Sequence, residues 1–541
     1  MLPRSQLAPH AIARWALERP DQVAVMRVDN GAALTYRDLH DQALRWASAY
    51  QRLGVGAGSH VATMIPNSAE AYIAWLGLGW LRAIEVPLNS GYTGKMLQYT
   101  LSQSDSTTIV IHRRFVDRLM SIAAELPHLE RVVVLDDPVS AVAADGGGVD
   151  DGVSDFDITT LPFAVSTQQQ FLAGVEPASG LDGPEYRDIT AIIYTSGTTG
   201  PSKGVILPWA GMLNMWSWAP AETFGVGEAL YGAFPSFHVS GKSVFNGVMV
   251  RGGKLVYREK FSATQFWDDV RRTNCVSAGL VGPMTALLWA QPNRDDDADN
   301  PLRNILLGPM IPEMEAFEKR FDLAIGTCYG MTEIGASFCV GFEPKPWQTC
   351  GKVRTDYPWH EVRLVDDNDE EVPMGEVGEL MLRTPEPWAL NVGYYKMPEK
   401  TAEAWRNGWF HTGDAFRCDA DGWYYFVDRM KDSIRRRGEN ISSFEVENFV
   451  IEHPLVADCA AIGVPAQYGE DEVMVVCVVT DREKFSPRDL IEWLEPRMPK
   501  FMLPRFVDVM DDLPRNQTSM RVLKFELRTR GVADTTWDRD A

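Results

Sequence analysis

The segment Tyr194-Thr-Ser-Gly-Thr-Thr-Gly-Pro-Ser-Lys-Gly204 concentrates hydroxyls, glycines and a lysine in a way that suits a phosphate. Thr195, Ser196, Thr198, Thr199 and Ser202 offer hydroxyl donors, Gly197 and Gly200 let backbone amides come close to an anion, and Lys203 adds a point charge. The preceding run Asp188-Ile-Thr-Ala-Ile-Ile-Tyr194 is rich in β-branched residues and reads as a buried strand, so the loop leaves a sheet with N–H groups turned outward. The spacing is not that of a Walker A loop, because Ser202 stands where that pattern needs its second glycine. Composition alone would also suit a plain flexible loop.

The order of residues decides between these readings. YTSGTTGPSKGV resembles the signature loop of the adenylate-forming superfamily, which holds acyl-CoA synthetases, adenylation domains and beetle luciferases. Further segments match that family's motifs in the right order along nearly the whole chain. Phe237-His-Val-Ser-Gly241 is similar to the element that lines the acyl pocket, where the resemblance gives His238 the task of gating the acid or orienting its carboxylate. Leu307-Gly-Pro-Met-Ile-Pro312 resembles the strand end that packs on adenine, which implicates Gly308, Pro309 and Met310. Tyr329-Gly-Met-Thr-Glu333 resembles the family's YGxTE. The resemblance implies that Tyr329 stacks on adenine with Gly330 and Met331 beside it, that Thr332 reaches the α-phosphate, and that Glu333 holds Mg²⁺. Oxygen ligands and phosphates together suit the octahedral demand of that ion, whereas a Thr-Glu pair on its own is more often a helix cap.

Trp409-Phe-His-Thr-Gly-Asp414 resembles the WxxTGD segment, so Asp414 is expected to accept hydrogen bonds from both ribose hydroxyls. Tyr424-Tyr-Phe-Val-Asp-Arg429 matches the strand that follows, placing Phe426 and Arg429 at the nucleotide, with Lys431 where the family has its hinge. Beyond it, Arg435, Arg436, Gly438 and Glu439 resemble the loop that meets the pantetheine arm of CoA. One departure stands out. The family's LPRTxxGKxxK segment appears here as Leu513-Pro-Arg-Asn-Gln-Thr-Ser-Met-Arg-Val-Leu-Lys524, so Met520 or Arg521 replaces the first lysine and Lys524 matches the second. A planar guanidinium does not copy an ammonium's geometry, so adenylation is expected to be slower or to lean on Lys524.

The run Arg429 to Ser442 and the tail around Gly531 to Arg539 are most like the carnitine/crotonobetaine-CoA ligase branch of acyl-CoA synthetases. The implied activity is an ATP-dependent, AMP-forming acid:CoA ligase using ATP, Mg²⁺ and CoA on a small carboxylic acid. Trp209, Trp216, Trp218 and Phe237 near the expected pocket suit a bulky apolar acid as well as a cationic one. An adenylating enzyme with an amine or carrier-protein acceptor, and a non-catalytic nucleotide-binding homologue, remain open alternatives.

Composition narrows the partners. With 52 basic against 74 acidic side chains the net charge is −22, which argues against nucleic acid or anionic lipid as the main target. Cys275, Cys328, Cys339, Cys350, Cys418, Cys459 and Cys477 lie scattered without CxxC pairs, as befits a reducing cytoplasm without a zinc site. The first ten residues show no apolar core with a cleavage site, and the most apolar stretch, Ala71 to Leu88, is broken by Gly77, Gly79, Arg82, Glu85 and Pro87. Neither a secretory leader nor an integral membrane span is expected, and a homodimer is left open.

At 541 residues the chain exceeds one hydrophobic core. Helices expected at Tyr36 to Leu53 and Ala69 to Leu81, both taken as amphipathic, alternate with strands at His60 to Met64, Thr108 to Ile111 and Val132 to Leu135. That rhythm predicts an α/β fold of largely parallel sheets flanked by helices. Ser140 to Asp157 and Gln291 to Pro301 read as surface loops, and residues 345–427 as a β-rich subdomain. The expected domains are an AMP-binding region over residues 1–430 and a small α+β lid over 431–541, joined at Lys431.

Overall fold

The computed structural model describes residues 3–136, 157–195, 202–308, 310–311, 313–430, 432, 434–436, 439–465, 471–515 and 522–540, without the side chains of residues 435, 439 and 440. The chain forms two compact units. Of the described residues, the first comprises those up to Thr195, Ser202–Glu361 and Thr384–Glu403, and the second Val362–Arg383 and those from Ala404 onward. Apart from Asp157, the expected loop at 140–157 lies outside the described residues.

The first unit holds two sheets. One runs in the order Ala164–Thr167, Arg131–Leu135, Thr108–His112, His60–Met64, Ile84–Pro87, Ile189–Thr195, Lys203–Pro208. Its neighbours are parallel until the last pair, which is antiparallel and sets Thr195 opposite Lys203. The two described ends of the segment 195–203, Thr195 and Lys203, are therefore fixed opposite each other by the ladder. The other sheet runs Thr349–Val353, Gly335–Val340, Ala324–Met331, Asn304–Leu307, Cys275–Leu280, Ala229–Gly232, Lys254–Tyr257, Val23–Arg27, Ala33–Thr35.

The helices follow from burial pattern and caps. Helix Tyr36–Arg52 opens with a reciprocal Thr35–Asp38 capping box and turns Leu39, Ala43, Trp46 and Tyr50 into the core. Helix Ala69–Trp80 corrects an expectation: it is not amphipathic, because Ala71 to Trp80 are all buried. A helix covered on every side needs no polar face. Trp75 from this helix stacks on Trp209 at 5.0 Å and donates its indole N–H to Thr190 Oγ1 at 2.8 Å. Trp209 and Trp216 are thus core side chains, 1% and 5% exposed, rather than pocket walls, while Trp218 and Phe237 are half-buried.

The second unit has a sheet in the order Glu361–Val365, Gly378–Arg383, Phe410–Cys418, Tyr424–Arg429, and another in the order Val456–Pro465, Asp471–Val479, Phe506–Met510, Trp537–Asp538. Helix Ser443–Ile451 packs its Val446 and Val450 into the apolar core behind the latter. Asp428 Oδ2 accepts hydrogen bonds from both the amide and the hydroxyl of Ser443 at 2.6 Å. The chain on either side of the expected hinge is therefore tied together. Lys431 itself lies outside the described residues.

A buried charge pair stands at the centre of the first unit. Lys242 Nζ meets Glu85 Oε2 at 2.5 Å, with side chains 1% and 2% exposed, and Thr63 donates to the other carboxylate oxygen at 2.7 Å. Burial lowers the affinity of the Lys242 amine for its proton, while Glu85 opposes that shift. Breaking such a pair strands one charge in the interior. Glu85→Ala is expected to cost about 3–5 kcal/mol in urea unfolding, and the paired change Glu85→Leu with Lys242→Met to recover most of it.

Candidate active site

Strands Ala324–Met331 and Gly335–Val340 form the hairpin that carries Tyr329 to Glu333. Met331 pairs with Gly335, and the register slips between Tyr329 and Gly330, a bulge that re-aims the side chains which follow. A Cβ on Gly330 would lie 2.3 Å from the Gly335 carbonyl oxygen. One on Gly335, where φ is +66°, would lie 2.3 Å from Asn214 Nδ2. The turn closes only with glycine at both places. Thr332 and Glu333 thus sit in a tight β-turn, both buried, and not at a helix cap.

Neighbouring segments hold this turn. Asn214 Nδ2 donates to the carbonyls of Ile334 and Ala389 at 2.9 and 3.0 Å. Arg354, 2% exposed, donates through Nη1 to Asn214 O and Oδ1, both at 3.2 Å, and through Nη2 to Tyr357 O at 2.6 Å. Residues 389–395 run along strand Lys203–Pro208 like an added strand, with Val392 N–H donating to Ile206 O, Ile206 N–H to Gly393 O, and Tyr395 N–H to Gly204 O at 2.8–3.0 Å. Asn391 donates to the Glu333 carbonyl through its amide at 2.8 Å and its side chain at 2.9 Å.

Tyr394 joins the two chemical groups of this half. Its hydroxyl donates to Glu333 Oε1 at 3.1 Å, and Lys203 Nζ lies 4.2 Å from its ring centroid, a cation–π contact. Burial and the negative Glu333 hold the Tyr394 phenol well above its ordinary pKa, so it stays a donor. Among the described residues no three His, Cys, Asp or Glu form a metal cage. A magnesium ion at Glu333 would draw its remaining ligands from phosphate oxygens and water, which is how this ion is usually held. One buried carboxylate with a hydrogen-bonded partner fits that role.

The other expected residues fall as follows. Tyr329 is half-buried and tilted on Phe338 at 5.7 Å. Gly308 ends strand Asn304–Leu307 beside the Cys328 carbonyl, and Met310 is half-buried. His238 caps helix Val239–Arg251, its Nδ1 2.7 Å from Ser240 Oγ. Ser196, Gly197, Thr198, Thr199, Gly200, Pro309, Gly438, Met520 and Arg521 lie outside the described residues, as do the side chains of Arg435 and Glu439.

In the second unit Asp414, 2% exposed, pairs across the sheet with Arg429, whose Nε is 3.2 Å from Asp414 Oδ1. The strand bulges just before it, and Glu379 fixes the bulge, accepting from the Gly413 amide at 3.0 Å and meeting His411 Nδ1 at 3.1 Å. Burial would raise the Glu379 pKa, but these hydrogen bonds outweigh it and hold the carboxyl below its usual range. Phe426 packs edge-on against Phe416 and Phe444. Two expected ligand contacts are otherwise engaged. Arg436 is buried, its Nε 2.7 Å from Glu472 and its Nη1 bonded to the Phe501 and Leu503 carbonyls, so it is not available to CoA phosphates. Lys524 Nζ sits 2.8 Å from Glu447 Oε1 and bonds Ser443 Oγ, so serving adenylation would require it to leave both.

The geometry can be set beside known proteins. The model of the AMP-binding enzyme family matches residues 12–395, and that of the AMP-binding enzyme C-terminal domain matches residues 445–519. The crotonobetaine/carnitine–CoA ligase of Salmonella choleraesuis (strain SC-B67) is 30% identical over 507 residues, 91% of this chain and 93% of that protein. In solved structures, the anthranilate CoA ligase AuaEII in complex with anthranoyl-AMP superposes with a TM-score of 0.81 at 22% identity, covering 98% of each chain. ATP-bound MatB from Rhodopseudomonas palustris gives 0.80 at 24% identity over 97% of this chain and 99% of that one. These structural matches show the fold.

The turn that presents Glu333 tolerates no side chain at its closing glycine. Gly335→Ala is expected to lower stability by about 2–4 kcal/mol, through left-handed strain and overlap with Asn214, as read by urea unfolding.

Proposed function

Because the chain belongs to the AMP-binding enzyme family, we propose that it is an ATP-dependent, AMP-forming acid:CoA ligase. The observation that carries this reading is that the buried Glu333 carboxylate, presented by the Tyr329–Gly335 hairpin, and the Lys203 ammonium meet on one tyrosine, in a chain that matches a CoA ligase over 91% of its length.

In the first half-reaction a carboxylate oxygen of the acid attacks the α-phosphorus of ATP, forming the acyl-adenylate mixed anhydride while the bond to pyrophosphate breaks. Lys203, Thr195 and the loop of Ser196 to Gly200 are assigned to the phosphates, and Thr332 to the α-phosphate. Gly308, Pro309 and Met310 are assigned, with Tyr329, to adenine, and Asp414 and Arg429 to the ribose. Glu333 is the residue assigned to magnesium, whose chemistry there is neutralising charge on the phosphates. His238 is assigned to the acid, and Arg521, or Lys524 after a local shift, is assigned the positive charge that the family's motif takes from a lysine.

In the second half-reaction the CoA thiol, losing its proton, attacks the activated carbonyl; the thioester forms and AMP leaves with the bonding pair. Arg435, Gly438 and Glu439 are assigned to CoA. Lys431 is assigned as the pivot between the two steps; Asp428 before it and Ser443 after it are joined by two hydrogen bonds. Among the described residues no helix is long and apolar enough to cross a membrane.

Pyrophosphate release from ATP with a panel of carboxylic acids, with and without CoA, is the direct assay. Release with at least one acid, and AMP release that depends on CoA, is expected; release of pyrophosphate with AMP freed only by an amine would overturn the CoA assignment. Asp414→Ala is expected to abolish both half-reactions through loss of nucleotide grip. Lys431→Pro is expected to spare pyrophosphate release and impair thioester formation, and equal loss of the two steps would count against a pivot.

A further inference from the structure

Resting on the assignment of Asp414 to the ribose, we propose that Glu379 is a positioning residue for that carboxylate and sets how well the protein tells ATP from its deoxy analogues. Glu379 acts through the main chain of Gly413, the residue before Asp414.

Strands Gly378–Arg383 and Phe410–Cys418 are in register where Glu379 meets Ala415 and again where Met381 meets His411. Between those pairs Thr412, Gly413 and Asp414 face the single residue Leu380, so the ladder cannot serve every main-chain group of the longer stretch. Side chains fill the gap. Thr412 Oγ1 donates to the Leu380 carbonyl at 2.7 Å and accepts from the Asp414 amide at 3.1 Å. Glu379 Oε1 accepts from the Gly413 amide at 3.0 Å. Gly413 itself, at φ +70°, gives its carbonyl to the Met430 amide at 2.9 Å. Asp414 is thus presented from a stretch that side chains, rather than pairing with strand Gly378–Arg383, hold in shape.

The Glu379 carboxylate is clamped in turn. Its Oε2 lies 3.1 Å from His411 Nδ1 and accepts from Arg406 Nη2 at 3.2 Å. Arg406 Nη2 also donates to Asp369 Oδ1 at 3.2 Å, Asn407 donates to Asp369 Oδ2 at 2.5 Å, and His411 Nε2 lies 3.9 Å from that oxygen. Burial raises the Glu379 pKa, but the hydrogen bonds from His411 and Gly413 outweigh it, so the carboxyl stays ionised and both oxygens act as acceptors. Such a clamp matters for a carboxylate that is to read hydroxyls, because hydrogen bonds are directional and a misplacement of about 1 Å forfeits them. The phosphates and adenine are assigned to other segments and do not depend on this aim.

The test is equilibrium dialysis of the full-length protein in excess Mg²⁺ with ATP, 2′-deoxyATP and 3′-deoxyATP, comparing wild type with Glu379→Ala and Glu379→Gln. A hydroxyl bonded to a carboxylate is worth a factor of about ten to a hundred in affinity, so the wild type is expected to prefer ATP over each deoxynucleotide by that factor. Glu379→Ala leaves the Gly413 amide without its acceptor and is expected to bring the preference to within about threefold, chiefly by weakening ATP. Glu379→Gln keeps the shape and one acceptor oxygen but turns an amide N–H₂ towards Arg406, and its preference is expected to lie between the other two. A residue that only stabilises the fold would weaken all three nucleotides alike. An unchanged preference in both variants therefore overturns the inference and leaves the nucleotide reading standing. Should Glu379→Ala not fold, the isosteric Glu379→Gln decides alone, and a wild-type preference in it overturns the inference. A wild type that binds ATP and both deoxynucleotides equally overturns the assignment of Asp414 to the ribose, and one that binds none of them overturns the nucleotide reading itself.

Discussion

Under the proposed reading a polyphosphate site has to hold cations and anions side by side, and the groups proposed for it, Lys203 and Glu333, meet on one tyrosine. The surrounding protein carries a net charge of −22, so the local field must be built from a few fixed groups. Tyr394 accepts the ammonium on its face and offers its hydroxyl to the carboxylate. The rest of the first unit can be understood as the support this arrangement requires.

Three structural devices provide that support, each with its origin in backbone geometry. The antiparallel pairing of Ile189–Thr195 with Lys203–Pro208 fixes the two ends of the phosphate-loop segment opposite each other. The Gly330–Gly335 turn, wedged by Asn214 and Arg354, presents Glu333 from a bulged hairpin. Residues 389–395 stitch those two elements together through main-chain hydrogen bonds. In the second unit a similar economy appears around Asp414: a buried carboxylate is placed by its cross-strand arginine and by a strand bulge held by Glu379.

The elements that carry local signals were legible in the sequence. Alternating apolar strands and helices gave the parallel sheets, and the segments carrying Tyr329, Glu333 and Asp414 stood out because those motifs are contiguous, although the hairpin and bulge that hold them were not read. What escaped reading depends on contacts between distant positions. Tyr394 lies 61 residues from Glu333 and 191 from Lys203, and nothing in Asn391-Val-Gly-Tyr394 announces either partner. The same holds for the Arg354–Asn214 contact. Arg436 and Lys524 read as ligand-facing from their place in a motif, yet Glu472 and Glu447 engage them, and those carboxylates belong to other elements. Trp209 and Trp216 looked like pocket walls because aromatic residues suit both a pocket and a core, and only packing against Trp75 and Gly247 separates the two.

The central claim, that Glu333 in its turn is where a metal-bound nucleotide is held, is tested most directly by calorimetric titration of the full-length protein with ATP, once in excess magnesium and once in chelator. The account predicts saturable heat that is markedly stronger with magnesium, and loss of that difference in Glu333→Gln. Equal binding with and without magnesium in the wild type, or no heat in either condition, would contradict it.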